Sequence, residues 1–244
     1  MKTTAKVLVL DIETSPITAY VWGLKDQNIG LNQIKQDWYI MAWSAKWLNS
    51  DLIVYHDMRH DKSDKRILEI LWKFLDKADI LITQNGKNFD APKINARFIQ
   101  YGIKPPSPYK HLDTYKIAKS AAEFTSHKLE YLTNKLCTKY KKLSHSDFPG
   151  MSLWSECLKG NIKAWEEMKE YNKQDVLSTE ELYNKLKAWA PNSAPAVYNN
   201  GACKVCGKPQ LQKRGYERKL KLVYQRLHCQ NCGKWSLGNM VKEK

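Results

Sequence analysis

The chain has 244 residues, of which 43% are hydrophobic and 27% charged, and its formal net charge is +15. These values fit a soluble globular protein with one α/β domain of ordinary size and a small appendage. No apolar run reaches the roughly 18 residues that suggest a membrane span, and the N-terminal run ends on acids without a cleavage site. We therefore expect no membrane association, no signal peptide and a cytoplasmic location.

The positive charge favours a polyanion as partner, usually nucleic acid. The alternative is a lysine-rich composition bias on a solvated surface. Residues 201–244 hold eleven Lys and Arg against two Glu, a local balance of +9. A general bias does not explain this uneven distribution, so the basic C-terminal segment needs a cause of its own.

The first 190 residues alternate between strand and helix patterns. The predicted strands are KVLVLDIE (6–13), DWYIMAWSAKWL (37–48), DLIVYHD (51–57) and DILITQ (79–84). The second and third are separated by Asn49 and Ser50, which suggests a hairpin. The predicted helices are KRILEILWKFLDKA (65–78), APKINARFIQYG (91–102), SHKLEYLTNKL (126–136) and a long one over 162–189.

A segment rich in Pro, Asn, Ser and Gly interrupts this pattern at residues 189–201. Such composition is typical of a domain boundary. We predict a first domain over residues 1–188, a linker over 189–200 and a second domain over 201–244.

Two acids close the first predicted strand. Asp11 and Glu13 are two residues apart, so in a strand they project from the same face. A hard cation such as Mg²⁺ prefers oxygen ligands of this kind and would remove their mutual repulsion. The pair is equally compatible with a strand that ends at the surface on two solvated acids.

Two further acids are ambiguous when taken singly. Asp90 lies between a predicted strand and a predicted helix, where an Asp often caps the helix. Asp175 lies in the long helix, where it could face solvent, although Asp is a poor residue for a helix interior. Tyr171 is four residues earlier and therefore on the same helix face as Asp175.

Together these stretches resemble the motifs of the DEDD (DnaQ-like) 3′-5′ exonucleases. VLDIETSP resembles the first motif, Asp-x-Glu at the end of the first strand. NGKNFD resembles the second, as it appears in the proofreading domains of family B DNA polymerases, and YNKQD resembles the third, Tyr-x-x-x-Asp. The tyrosine marks the DEDDy branch, because Glu170 occupies the position where the other branch has His. The resemblance covers roughly residues 5–188, with about 80 residues between successive motifs.

The resemblance implies a ribonuclease H-like fold, with a mixed central sheet flanked by helices. It implies that Asp11, Glu13, Asp90 and Asp175 hold two Mg²⁺ or Mn²⁺ ions, which activate a water and stabilise the leaving 3′ oxygen. Tyr171 would orient the attacking water, since a phenol with a pKa of about 10 is a poor base at neutral pH. The motif positions that would contact the nucleic-acid substrate are Thr14, Asn85, Asn88 and Phe89.

Other polar residues are given structural roles. Asp113 could be a fifth acid near the site, but we favour a turn residue. His127 and His145 have no partner at a suggestive spacing and are expected at the surface.

The C-terminal segment contains four of the six cysteines, in the pattern C-x₂-C-x₂₂-C-x₂-C. Two close pairs supply four sulfurs for one structural Zn²⁺, and the cysteines concerned are Cys203, Cys206, Cys229 and Cys232. Disulfides are the alternative, but no export signal supports them. We therefore predict a small four-cysteine zinc ribbon, which would depend on the metal for folding.

The predicted ribbon is basic and contains several aromatic residues. Its basic residues could meet phosphates while the aromatics stack on bases, and those assigned to nucleic-acid binding are Arg214, Arg218, Lys219, Lys221 and Arg226. The alternative is a ribbon that only docks on the first domain or on a protein partner.

The sequence thus predicts a metal-dependent 3′-5′ exonuclease that releases nucleoside 5′-monophosphates from a nucleic acid with a 3′ end. Single-stranded DNA is favoured because the second motif resembles that of DNA polymerases, and a replication or repair protein is a possible partner. The alternatives are a ribonuclease H-like endonuclease and a nucleic-acid binding module without catalytic activity.

Overall fold

The computed structural model describes residues 4–142, 147–198, 201–219 and 222–241. His145 and Lys221, for which the sequence suggested roles, lie outside these ranges. The strands of the first part are β1 (Val7–Thr14), β2 (Thr18–Ala19), β3 (Ile34–Gln36), β4 (Ile40–Trp47), β5 (Ile53–Asp57), β6 (Ile80–Thr83) and β7 (Lys110–Asp113). Its helices are α1 (Lys65–Lys77), α2 (Asp90–Gln100), α3 (Thr114–Ala121), α4 (Leu129–Leu136), α5 (Ser152–Leu158) and α6 (Ile162–Leu186).

The central sheet has five strands in the order β5-β4-β1-β6-β7. β1 runs antiparallel to β4 and parallel to β6, and β7 continues the parallel half. This mixed sheet flanked by helices is the architecture that the resemblance implied, and the predicted hairpin is the β4–β5 pair. Because β1 is central and covered on both faces, its apolar run VLVL is completely buried.

Two layers of helices cover the sheet. On one face the apolar side of α1, spaced at a helical period, packs with the buried residues of α2 and with Trp43 of β4. On the other face α3, α4 and α6 cover Val7 and Val9. Asp11 and Glu13 continue the line of Val7 and Val9 along β1, so they project on the α6 side, where the strand ends.

The strand β7 was not predicted from the sequence. β7 has only four residues and follows a proline-rich stretch, so no alternation is long enough to indicate a strand. Asp113 ends β7 and caps α3 by accepting a hydrogen bond from the Tyr115 amide at 3.0 Å. The sequence favoured a turn residue, and Asp113 is instead the cap of α3. Its charge also contributes to raising the pKa of Asp90, so it is a further acid near that residue.

The segment 189–198, predicted as a linker, packs on the first domain. Ala190 and Val197 are buried in the same core as Val7 and Val9. The Ala5 amide donates to the Val197 carbonyl at 3.1 Å, and Val197 and Tyr198 donate their amides to the carbonyl of Lys204. The segment therefore joins the two parts through regular backbone contacts.

The C-terminal part is a three-stranded antiparallel sheet in the order β10-β9-β8. Its strands are β8 (Leu211–Lys219), β9 (Leu222–Cys229) and β10 (Trp235–Val241). The side chain of Lys234, which is buried, contacts the carbonyl of Ala190 and so ties this sheet to the first domain. No helix within the described ranges is long and apolar enough to cross a membrane.

Candidate metal centres

Three carboxylates converge where β1 ends against α6. Asp11, Glu13 and Asp175 each offer an oxygen, and these oxygens lie within 4.8 Å of one another. We call these three residues the acid cluster. Glu13 and Asp175 are 9% and 4% exposed, so the repulsion between the charges is weakly screened by water. A bound cation would offset this repulsion.

Asp90 adjoins the acid cluster from the start of α2. Its Oδ1 accepts a hydrogen bond from the Ile12 amide at 3.2 Å, which fixes the carboxylate beside β1 between Asp11 and Glu13. Its charge contributes to raising the pKa of both neighbours. Asp90 therefore lies beside the acid cluster, although its oxygens are not among those that lie within 4.8 Å of one another.

The pKa values of Asp11, Glu13 and Asp90 are all raised, because the site disfavours their ionised forms. Burial first, and then the charge of Asp175, raises the pKa of Glu13 to about 8. Burial and the charges of the other three acids raise the pKa of Asp11 well above its usual range. Burial raises the pKa of Asp90 to about 7, against the hydrogen bonds from its own amide and that of Ile12. Oxygen ligands that are costly to ionise fit a hard divalent cation, which restores the ionised form.

Tyr171 lies one helical turn before Asp175, with 7% of its surface exposed. Its ring meets Trp154 edge-on at 6.2 Å between centroids. Burial and the charge of Asp175 hold the pKa of its phenol above the usual range. The hydroxyl therefore stays protonated at neutral pH and can act as a hydrogen-bond donor.

Three residues that sequence reasoning missed contact the acids. Asn172 Nδ2 donates to Asp11 Oδ2 at 2.6 Å, Lys142 Nζ lies 2.6 Å from Asp175 Oδ2, and Trp154 hydrogen-bonds Glu13. Asn172 could have been found, because it shares a helix face with Asp175 three residues later. Lys142 and Trp154 carry no local signal, since they come from a loop and a short helix brought to the site by the fold.

Lys142 partly balances the acids. Its Nζ lies 4.5 Å from the centroid of the Tyr171 ring as well as beside Asp175. Burial opposes its charge, but Asp175 and Tyr171 outweigh burial and raise the pKa of the ammonium above its usual range. One lysine is too few to balance the four acids once a cation restores their ionised form.

The turn before Asp90 is built by the residues of the second motif. Asn85 has a left-handed backbone with φ of 61°, which Asn tolerates, and Asn88 Nδ2 donates to Asn85 Oδ1 at 3.3 Å. A side chain on Gly86 would put its Cβ 2.3 Å from Thr83 Oγ1 and 2.9 Å from Asp90 Oδ2. Only glycine lets this turn pass so close to the acid.

A cleft of about 310 Å³ opens beside Glu13. Its walls are largely apolar and are formed by Thr14, Ser15, Pro16, Phe89, Met151 and Trp154. Thr14 and Phe89, predicted to contact substrate, thus line one cavity. Asn85 and Asn88 belong to the turn beside it.

The four cysteines of the C-terminal part form a second centre. Their sulfurs lie within 4.8 Å of one another, with 3.8 Å between the Sγ atoms of Cys203 and Cys232 and 3.7 Å between those of Cys206 and Cys229. A disulfide needs about 2.05 Å. Sulfurs about 2.3 Å from a tetrahedral ion are about 3.8 Å apart, so the geometry fits a metal and not disulfides.

The basic residues predicted for the ribbon lie along its sheet. Arg214, Arg218 and Lys219 are exposed on β8, and Arg226 is exposed on the neighbouring β9. Tyr216 and Trp235 are 51% and 44% exposed, and Trp235 stacks on His228 with ring centroids 4.4 Å apart. The sheet thus presents both cations and aromatic faces to solvent.

Comparisons with known proteins agree with this architecture. The sequence profile of the RNase H superfamily matches residues 8–187. Among solved structures, the chain is similar to the family B DNA polymerase of the hyperthermophilic archaeon Pyrobaculum calidifontis, with a TM-score of 0.57 and 15% identity. That match covers 76% of this chain but only 25% of the polymerase, so it supports the fold alone. No curated protein matches the chain.

Proposed function

Because the chain belongs to the RNase H superfamily, we propose that it is a divalent-metal-dependent nuclease that removes nucleotides from the 3′ end of a nucleic acid. The observation that carries the proposal is the convergence of Asp11, Glu13 and Asp175 within 4.8 Å, with Asp90 held beside them. Such a concentration of buried acids is costly for the protein and is typical of catalytic sites.

Asp11, Glu13, Asp90 and Asp175 would hold Mg²⁺ or Mn²⁺. When bound, such ions lower the pKa of a water and offset the charge that develops on the phosphate. Asn172 fixes the orientation of Asp11, and Lys142 fixes that of Asp175. The protonated hydroxyl of Tyr171 would orient the attacking water by hydrogen bonding, since its raised pKa prevents it from acting as a base.

The cleft beside Glu13 would take the terminal nucleotide. Phe89, which is 41% exposed, and Trp154 offer aromatic faces on which a base can stack, and this stacking tolerates any base. A cavity that adjoins the acids favours attack on the bond next to a strand end, and hence release of nucleoside 5′-monophosphates. DNA is the favoured substrate because of the resemblance of the second motif to that of DNA polymerases.

The C-terminal part would be a zinc ribbon that helps to hold the strand. The four cysteines fit Zn²⁺ in ligand type, number and spacing. Exposed Arg214 and Arg226 would meet phosphates, while Tyr216 and Trp235 would stack on bases. Deleting residues 201–244 should weaken binding and flatten its salt dependence. An unchanged salt slope would indicate a docking role instead.

The activity is tested with 5′-labelled single strands of matched DNA and RNA in Mg²⁺ or Mn²⁺. We expect a ladder that shortens from the 3′ end, faster on DNA, and no cutting of a circular strand. Cutting of the circle would replace the proposal with an endonuclease, and binding without cutting would reduce the protein to a binding module. Asp11→Ala, which removes an acid-cluster ligand, should abolish cutting, and unchanged activity would refute the site.

A further inference from the structure

A second cavity is lined in part by Lys87, which belongs to the turn that carries the second motif. It has a volume of about 420 Å³ and lies against the edge strand β7. Three of the residues lining it are lysines, and each comes from a different element: Lys87 from the turn 85–88, Lys110 from β7 and Lys116 from α3. We call this cavity the lysine pocket.

The lysines are not balanced by acids. Within the described ranges, none of the three forms an ion pair with a carboxylate oxygen at 4.0 Å or less. Among the described residues that line the pocket, Asp113 is the only acid, and it is 2% exposed. Its two oxygens already accept hydrogen bonds from the amides of Asn85, Lys87 and Tyr115. The pocket therefore presents a net positive charge to solvent.

A purely structural role does not account for all three lysines. A lysine on an edge strand such as β7 also discourages pairing with another chain, which would suffice for Lys110. It gives no reason for Lys87 and Lys116 to converge on the same cavity. His111 also lines the pocket, and its Nε2 lies 2.7 Å from Thr83 Oγ1. The charges of Lys87 and Lys116 both act on its imidazole. Burial lowers its pKa to about 4, and although Asp113 opposes this, the charges of Lys87 and Lys116 lower it further.

The remaining wall of the lysine pocket suits a base or a sugar. It is formed by Ile117 of α3 and by the prolines and small residues of the 191–195 segment, which leads to the ribbon. Cations on one side and an apolar wall on the other are what a nucleotide, with its phosphate and its base, requires. Lys87 of the turn lines the pocket, and Phe89, which precedes α2, lines the cleft beside Glu13. Residues two apart in the chain thus border the two cavities.

We propose that the lysine pocket binds a phosphate-bearing nucleotide unit of the strand whose 3′ end occupies the acid cluster. This inference rests on the proposed nuclease function, because it takes a nucleic-acid strand as the ligand. The strand would leave the cleft over the turn 85–88 and enter the pocket, where Lys110 and Lys116 neutralise its phosphates. The pocket would thus extend the binding surface toward the ribbon. A free mononucleotide carries the same chemistry and is the other possible source.

The test uses the full chain and reads binding, not cleavage. Single-stranded DNAs of increasing length are titrated in the cleavage-deficient Asp11→Ala background, with and without Lys110→Ala/Lys116→Ala. Lys73→Ala/Lys77→Ala on α1 is the control, because it removes the same charge from exposed positions on the opposite face of the sheet. Thermal unfolding checks that all variants are folded.

We expect affinity to rise with length in the parent and in the control, and this gain to be lost in Lys110→Ala/Lys116→Ala. The slope of log K against log salt should fall by about 1.4, because each phosphate contact on a single strand contributes about 0.7. Strands short enough to fill only the cleft should bind equally to all variants.

Binding of dAMP, measured in parallel, separates the two sources. If Lys110→Ala/Lys116→Ala loses dAMP binding but keeps the gain with length, the ligand is a free nucleotide and the strand path is wrong. The lysine pocket is refuted if the variant matches the parent in length dependence, salt slope and dAMP binding. It is also refuted if the parent shows neither a gain in affinity with length nor binding of dAMP. Failure of the wild type to shorten labelled strands would refute the proposed function separately, because these measurements need no cleavage.

Discussion

The acid cluster and the four-cysteine centre both gather groups that repel one another, but the surrounding protein supports them differently. Asp11 and Glu13 lie on β1, the central strand of a sheet with large cores on both faces. In the described part of the ribbon, residues 201–219 and 222–241, only Cys203, Cys229 and Lys234 are buried. The fold that positions the acid cluster is therefore held together by its hydrophobic cores and does not depend on that cluster. The ribbon, in contrast, has little core apart from its cysteines. Removing a ligand should consequently have opposite effects on stability in the two places.

The largest effect is expected at the ribbon. Cys229→Ser, or removal of the metal by a chelator, should unfold β8–β10, because metal binding supplies the folding free energy of such domains, about 10–16 kcal/mol for zinc. Hydrogen exchange should show loss of amide protection over 211–241 and retained protection in β1 and β4. Zinc content, measured by mass spectrometry, should fall from one ion per chain to none.

Cys137→Ser is the control for this prediction. Cys137 is buried in the core of the first domain and lies outside the four-cysteine centre. It should destabilise the first domain without changing the zinc content. Protection of β8–β10 that survives chelation would show that the ribbon is held by its docking contacts with Ala190 and Tyr198 instead.

Substitution of an acid in the acid cluster should stabilise the metal-free fold, in contrast to the loss of a cysteine from the ribbon. Asp11→Asn should reduce activity by roughly 10³-fold or more, because it would remove a ligand of the proposed metal ion. The same substitution removes one of four repelling charges, so in metal-free buffer it should raise the free energy of unfolding. Activity on labelled strands and thermal unfolding in the same buffer test both. A metal-free variant less stable than the wild type would contradict the view that the acids oppose folding.

The pH dependence of stability sharpens the same contrast. The pKa of Glu13 is raised from 4.5 to about 8 and that of Asp90 to about 7, in both cases chiefly by burial. The folded protein therefore binds more protons than the unfolded chain between about pH 4.5 and 8. The free energy of unfolding of the metal-free protein should fall as the pH rises through this window. Denaturant titrations at several pH values should show the fall, and Glu13→Gln or added Mn²⁺ should flatten it. A stability that rises with pH here would contradict the electrostatic account.

The sequence predicted most of the sheet and proposed the four acids from local signatures, and the structure brings Asp11, Glu13 and Asp175 together with Asp90 beside them. The buried strand β1 reads as an apolar run, and the two-residue spacing of Asp11 and Glu13 places them on one face. The profile match and the observed sheet confirm the ribonuclease H-like fold. The nucleic-acid contacts and catalytic roles of the individual residues remain predictions.

What the sequence did not predict depends on contacts between distant segments. Trp154 lies on α5, a helix of seven residues that was not foreseen, and Lys142 is one of many lysines in a basic chain. Their proximity to Glu13 and Asp175 follows only from the path of the chain between α4 and α6. The packing of Ala190 and Val197 was also missed, because a stretch rich in Pro and Asn has the composition of a linker even where it lies against a core.

The smallest expected effect concerns Asn172, a neutral amide that donates a hydrogen bond to Asp11. Asn172 is completely buried, and its Nδ2 holds Asp11 Oδ2 at 2.6 Å. Groups that orient metal ligands typically contribute 10- to 100-fold to metal affinity or activity. Asn172→Ala should therefore raise the Mn²⁺ concentration needed for half-maximal activity about 10- to 100-fold, with a smaller loss at saturating Mn²⁺. Asn184→Ala, at an exposed position of the same helix, should leave the Mn²⁺ dependence unchanged. If Asn172→Ala lowered activity equally at every Mn²⁺ concentration, Asn172 would act on packing and not on the orientation of Asp11.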